Sequence, residues 1–216
     1  IDYELCGKVI VATSEDETAR LQTIFERGQA NGVNCQLITK ERLKEIEPHA
    51  AGVRAIHVPE CGIVNYRQVC EKLGSLLCEN SNHQILTGEK VLHIEQGKTD
   101  LIIQSTSQEI HCKYLINCSG LHSDRLTKMS GQSSPAKIIP FKGEYFFLSK
   151  KAEKFCNHLI YPVPDPKFPF LGVHFTRMIE GGVECGPNAV LAFGREAYDK
   201  FKFNTVELIE SLSYPG

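Results

Sequence analysis

Apolar residues recur along this chain at two periods, and the switch between them marks the elements. Lys8–Ala12 (K-V-I-V-A) is a short apolar run and reads as a strand. In the Ser14-Glu15-Asp16-Glu17 run that follows, a serine with glutamate three residues on is a capping box. Leu21, Ile24 and Phe25 then repeat at helical spacing until Asn31-Gly32. Residues 35–39 read as a second strand, and residues 40–47 as a short helix ended by Pro48. Residues 53–58 (V-R-A-I-H-V) alternate like a half-exposed strand, with Ala55 and His57 on one face and Arg54, Ile56 and Val58 on the other. Asn65 caps a helix whose Val69, Leu73, Leu76 and Leu77 form one apolar stripe, read as core.

Beyond Ile85 the period shortens. Residues 90–96, 100–106 and 109–117 read as three strands. The last runs through Tyr114 and Asn117 into Cys118-Ser119-Gly120, and a helix with Asp124 and Arg125 near its start follows. A strand, a glycine turn and a helix start can present backbone N–H groups to a phosphate, although many such turns serve packing alone. Residues 138–149 form a long strand carrying Lys142 and Glu144, with Gly143 suited to a bulge or a close approach. Gly181-Gly182 is a hairpin turn, residues 183–186 begin another strand, and residues 205–212 begin a helix cut off by Pro215-Gly216.

Between these lies the least ordinary stretch, residues 159–177. Pro162, Pro164, Pro166 and Pro169 make a stiff extended loop, since proline fixes φ and removes a donor. The loop feeds an apolar run, residues 170–175, read as a strand carrying His174 and Arg177. An imidazole and a guanidinium beside a rigid aromatic loop suit a small carboxylate. Alternation sends the two side chains to opposite faces unless the strand ends or bulges between them.

Composition narrows the picture. The chain has 216 residues, room for one large domain or two small ones. A net charge of −2 argues against a nucleic-acid binder, and no apolar run nears the 18 or so residues of a membrane-spanning helix. Nine cysteines, an odd number without C-x-x-C, read as reduced thiols in an intracellular setting with no zinc or other metal site. The chain opens Ile-Asp-Tyr-Glu-Leu, with neither an initiating Met nor a signal-peptide pattern, and is read as an internal piece of a longer protein.

Five stretches, C-G-K-V-I-V-A-T (6–13), N-C-S-G-L-H-S-D-R (117–125), P-F-K-G-E-Y (140–145), Y-P-V-P-D-P-K-F-P-F-L-G-V-H-F-T-R (161–177) and G-P-N-A-V-L-A-F (186–193), resemble the L-2-hydroxyglutarate dehydrogenase/oxidase family. That family belongs to the FAD-dependent group that includes D-amino-acid oxidase. The resemblance implies an α/β (α+β) fold: the middle part of an FAD-binding Rossmann-like domain at 59–136, and a substrate domain of mostly antiparallel strands with helices at 1–58 and 137–216. It implies FAD-dependent oxidation of L-2-hydroxyglutarate to 2-oxoglutarate by hydride transfer to the flavin, with a quinone or oxygen as the electron acceptor. It implies a cytoplasmic protein, with peripheral contact at the inner membrane left open. The family's opening G-x-G-x-x-G is not in this sequence, so the piece alone is expected to hold FAD weakly or not at all and to be inactive.

A 2-hydroxy acid oxidase needs a base for the hydroxyl proton and cations for the carboxylates. For the base the resemblance points to His174, with His57 second. For the substrate it points to Arg177, Lys142, Tyr161 and Asn188. Backbone contacts from Cys118, Ser119 and Gly120, with Val91 from a neighbouring strand, are expected to hold the flavin cofactor. Two alternatives stand: a flavoenzyme oxidising another small hydroxy or amino acid or glycerol phosphate, and a non-catalytic carboxylate-binding module.

Overall fold

A computed structural model describes residues 1–134, 136–168, 170–199 and 201–214. Pro169 of the proline stretch and the Pro215-Gly216 stop lie outside the described residues. The elements in order are β1 (Tyr3–Glu4), β2 (Lys8–Ala12), α1 (Thr18–Ala30), β3 (Gln36–Thr39), α2 (Lys40–Ile46), β4 (Arg54–Val58), β5 (Ile63–Val64), α3 (Tyr66–Cys78), β6 (Val91–Gln96), β7 (Leu101–Ser105), β8 (Glu109–Cys112), α4 (Ser123–Met129), β9 (Phe141–Phe147), β10 (Leu159–Pro162), β11 (His174–Arg177), β12 (Val183–Leu191) and α5 (Thr205–Leu212). They gather into two compact units, residues 1–76 with 143–189 and residues 77–142 with 190–216.

The first unit is built on a seven-stranded sheet of order β3-β4-β2-β10-β11-β12-β9. β3 with β4, β4 with β2, β10 with β11 and β11 with β12 pair antiparallel, and β2 with β10 run parallel. Helices cover both faces of its first strands. On one face Leu21 of α1 packs with Ala12, Ile56 and Val58; on the other Leu43 of α2 packs with Val9, Val11 and Ala55. β4 is therefore buried on both sides, and the half-exposed strand expected from its alternation is not found. The capping box also differs: a 3-10 turn at Glu15–Glu17 precedes α1, and the Glu17 carboxylate accepts from the Thr13 N–H and hydroxyl rather than from Ser14. Asn65 does cap α3, accepting from the Gln68 N–H. The α3 stripe is not core, for the helix buries none of its residues and leaves Leu73, Leu76 and Leu77 exposed.

The second unit holds a three-stranded antiparallel meander, β6-β7-β8, with α4 and α5. Here the expected third strand stops at Cys112. Tyr114 and Ile116 are 87% and 84% exposed, and the segment pairs with no strand among the described residues. An apolar run becomes a strand only where a neighbour completes its ladder. In the described residues no helix is long and apolar enough to cross a membrane.

Candidate functional site

The register of the large sheet brings three distant residues together. β2 lies between β4 and β10, so Lys8 sits beside Leu159 and Ile10 beside Tyr161. β10 meets β11 with Ile160 opposite Phe175, which sets Tyr161 against His174. Their rings stack with centroids 4.1 Å apart and planes at 14°. Lys8 Nζ lies 3.8 Å from the Tyr161 ring centroid, a cation–π contact. On the next strand His174 faces Gly186, where a Cβ would come within 2.6 Å of Tyr145 Cδ1; the missing side chain makes room for that ring.

The proline loop fixes the imidazole. Gly172 closes on Pro162, and its carbonyl accepts a 2.9 Å hydrogen bond from His174 Nδ1. A carbonyl can only accept, so Nδ1 carries the proton of this bond and the ring is held in one orientation. His174 is 6% exposed. The strand begins only at His174, so residues 170–173 are loop, not the strand their apolar run suggested. Burial pushes the Lys8 ammonium below the usual lysine range, and no ion pair reaches it among the described residues.

Arg177 does not join this face. β11 runs regularly against β12 in four successive pairs, with no bulge to turn the arginine round. Arg177 pairs with Glu4 at 2.8 Å and donates to the Asn157 carbonyl. His57 shares that opposite face, opposite Val9, with its ring 5.6 Å from that of His158. Burial first, then the His158 and Arg42 charges, lower its pKa. The same side holds Glu47, which is wholly buried. Its Oε1 accepts from the Asn157 N–H, the His158 N–H and His158 Nδ1, tying down the start of β10. Pattern reading missed both Lys8 and Glu47, because each sits in an ordinary strand or helix sequence. Asn188 lies two residues beyond Gly186 on β12 and is exposed; Lys142, on β9, is half-buried and falls in the second unit.

This division gives a prediction. Arg177→Ala in the full-length protein is expected to keep kcat/KM within a few-fold of wild type and to cost about 1 kcal/mol or less in urea unfolding, the scale of a partly exposed ion pair. A kinetic loss of about 100-fold would return Arg177 to the site.

In the second unit Val91 and Ser119 line one cavity of about 720 Å³, with Lys90, Arg125 and Lys202 also in its wall. The volume is ordinary for a cofactor site. Ser119 donates through both its N–H and its hydroxyl to Asn117 Oδ1, which holds the turn. Gly120 has φ +52°, and a Cβ there would meet nothing within 4 Å, so the main chain is open at that point. Cys118 is exposed. Arg195 secures α4: its side chain, 3% exposed, donates to both Asp124 oxygens and to the Leu121 carbonyl. The Arg195 guanidinium holds the Asp124 carboxyl down at about 2.

Known proteins agree with this architecture. The chain is 49% identical over its whole length to the L-2-hydroxyglutarate dehydrogenase of Indibacter alkaliphilus, covering 54% of that protein. It is 40% identical to the mitochondrial L-2-hydroxyglutarate dehydrogenase of Homo sapiens, covering 49% of it. The chain thus spans about half the length of the curated relatives it matches. Among solved structures, L-alpha-glycerophosphate oxidase of Mycoplasma pneumoniae with FAD bound superposes on 91% of this chain with a TM-score of 0.75 at 22% identity, covering 52% of that protein's chain. Glycine oxidase of Geobacillus kaustophilus superposes on 88% with a TM-score of 0.70 at 18% identity, covering 49% of its chain. These likenesses show the fold. A family match runs over residues 1–211, and the chain belongs to the DAO family of FAD dependent oxidoreductases.

Proposed function

We propose that the protein containing this chain oxidises L-2-hydroxyglutarate to 2-oxoglutarate, with His174 as the base. The observation that carries this reading is the stacked Tyr161–His174 pair, whose imidazole is oriented by the hydrogen bond from Nδ1 to the Gly172 carbonyl. Identity to L-2-hydroxyglutarate dehydrogenases across the whole chain supports the substrate. His174 Nε2 takes the hydroxyl proton of the substrate. Tyr161 holds the imidazole plane and presents its ring edge to the substrate's carbon chain. Asn188 supplies an amide donor for a substrate oxygen. We assign Arg177 and His57 to the packing of the opposite sheet face.

FAD, when bound, would supply the hydride acceptor, with a quinone or oxygen as the final electron acceptor. The second unit offers it a cavity of the right size and a main chain open at Gly120; Lys90 and Lys202 would meet a diphosphate there, with Glu89, Glu196 and Glu207 in the same wall. Val91 and Ser119, which line the cavity, and Cys118 and Gly120 on either side of Ser119 in the chain would hold it. In this assignment residues 59–136, with Lys202 from the second flank, carry cofactor contacts, and the rest of the flanking segments carries the substrate.

The test is an absorbance spectrum of the full-length protein as purified, before and after anaerobic L-2-hydroxyglutarate. A flavin band at about 450 nm that bleaches on addition is the expected result. A flavin band that ignores this substrate but bleaches with another hydroxy or amino acid replaces the substrate. Absence of flavin even after added FAD favours the carboxylate-binding module.

A further inference from the structure

Among the described residues Lys8 is a cation without a counter-ion. It comes from β2, an interior strand of the sheet, its stem lies between Val58 and Leu159, and its ammonium rests on the Tyr161 ring. Among the described residues no carboxylate pairs with it. An ammonium half-removed from water, with only a ring face beneath it, is poorly satisfied until an anion arrives. One side of the Tyr161 ring thus carries the ammonium and the other carries His174, at 3.8 and 4.1 Å from the ring centroid. The two groups thus lie on the order of 8 Å apart with the ring between them, so a ligand that reaches both must pass the ring's edge, with a hydrogen bond at each end making up part of the span.

We infer that Lys8 is the residue that selects the distal carboxylate of a dicarboxylate substrate, binding it from the far side of Tyr161 while His174 serves the hydroxyl end. The inference rests on the assignment of His174 to the hydroxyl. It adds the specificity element that Arg177, turned to the other face and paired with Glu4, does not supply. A contact to a carboxylate remote from the reacting carbon is made equally before and during reaction, so its loss falls on KM more than on kcat.

The experiment compares full-length wild type, Lys8→Met and Lys8→Arg on two substrates. L-2-hydroxyglutarate carries the distal carboxylate; L-2-hydroxypentanoate has the same chain and lacks it. Lys8→Met is expected to lower kcat/KM for the diacid by about 100-fold, mainly through KM, and for the monoacid by less than about 3-fold. Lys8→Arg is expected to recover at least about 10-fold of the diacid loss, because the charge returns. Equal losses on both substrates, or no loss on the diacid, overturn the inference.

Binding of glutarate by isothermal titration needs no turnover and separates this inference from the proposed reaction. A wild type that fails to oxidise L-2-hydroxyglutarate overturns the substrate assignment. In that case a glutarate Kd raised at least about 10-fold by Lys8→Met still supports the carboxylate site. An unchanged Kd, or no glutarate binding by wild type, overturns it.

Discussion

Replacing His174 with alanine in the full-length protein is expected to lower kcat/KM for L-2-hydroxyglutarate at least about 100-fold, mostly through kcat. The imidazole is buried, stacked on Tyr161 and tied through Nδ1 to the Gly172 carbonyl, so its free nitrogen has one orientation. Removing it takes away the proposed proton acceptor and leaves the ring of Tyr161 without its stacking partner. His174→Gln, similar in volume but a poor base, should lose as much, which separates chemistry from packing. His57→Ala should stay within a few-fold of wild type, since its side chain lies on the opposite sheet face beside His158. Flavin absorbance in each variant reports whether the fold and the cofactor survive. A His174→Ala enzyme within a few-fold of wild type would move the base elsewhere.

The largest stability effect is expected at Asp124. Arg195 is nearly sealed from solvent, and its guanidinium meets both Asp124 oxygens as a fork. Asp124→Ala leaves that charge buried and unpaired, which costs about 3–5 kcal/mol. Removing both partners as Asp124→Leu with Arg195→Met should recover most of the loss, because no orphaned charge remains. Urea unfolding followed by far-ultraviolet circular dichroism measures both. The pair also sets an acid limit. A carboxyl held at about 2 in the folded protein and near its ordinary value when unfolded stabilises the fold above the unfolded pKa. That contribution is lost as pH falls from about 4 toward 2. Asp124→Ala should flatten this part of the stability–pH curve; an unchanged slope would mean that other carboxylates dominate it.

Elements whose signals are local were legible in the sequence. The strand at Lys8–Ala12 and the helix ending before Gly32 follow from periodicity and a left-handed glycine. The Cys118-Ser119-Gly120 turn and the proline loop stood out through residues with fixed backbone preferences. What depends on partners was not legible. Tyr114 and Ile116 have strand propensity and no strand, and the α3 stripe has helical spacing and no cover. For the candidate site, alternation already separated His174 from Arg177, but nothing local joins Lys8 to Tyr161. That contact exists only through the parallel register of β2 and β10, and no window of sequence contains both.

The same register orders events at the ribosome. β2 is an interior strand of its sheet, yet its parallel neighbour β10 is synthesised about 150 residues later. At typical elongation rates that is a delay on the order of ten seconds. Through that interval the edge of β2 that will meet Leu159–Pro162 stands open, with Val9 and Val11 along it. An open apolar edge is a template for pairing with another nascent chain. Production of this protein is therefore most exposed to aggregation while the polypeptide is half made, and slower growth or more chaperone should raise the yield without altering the finished fold.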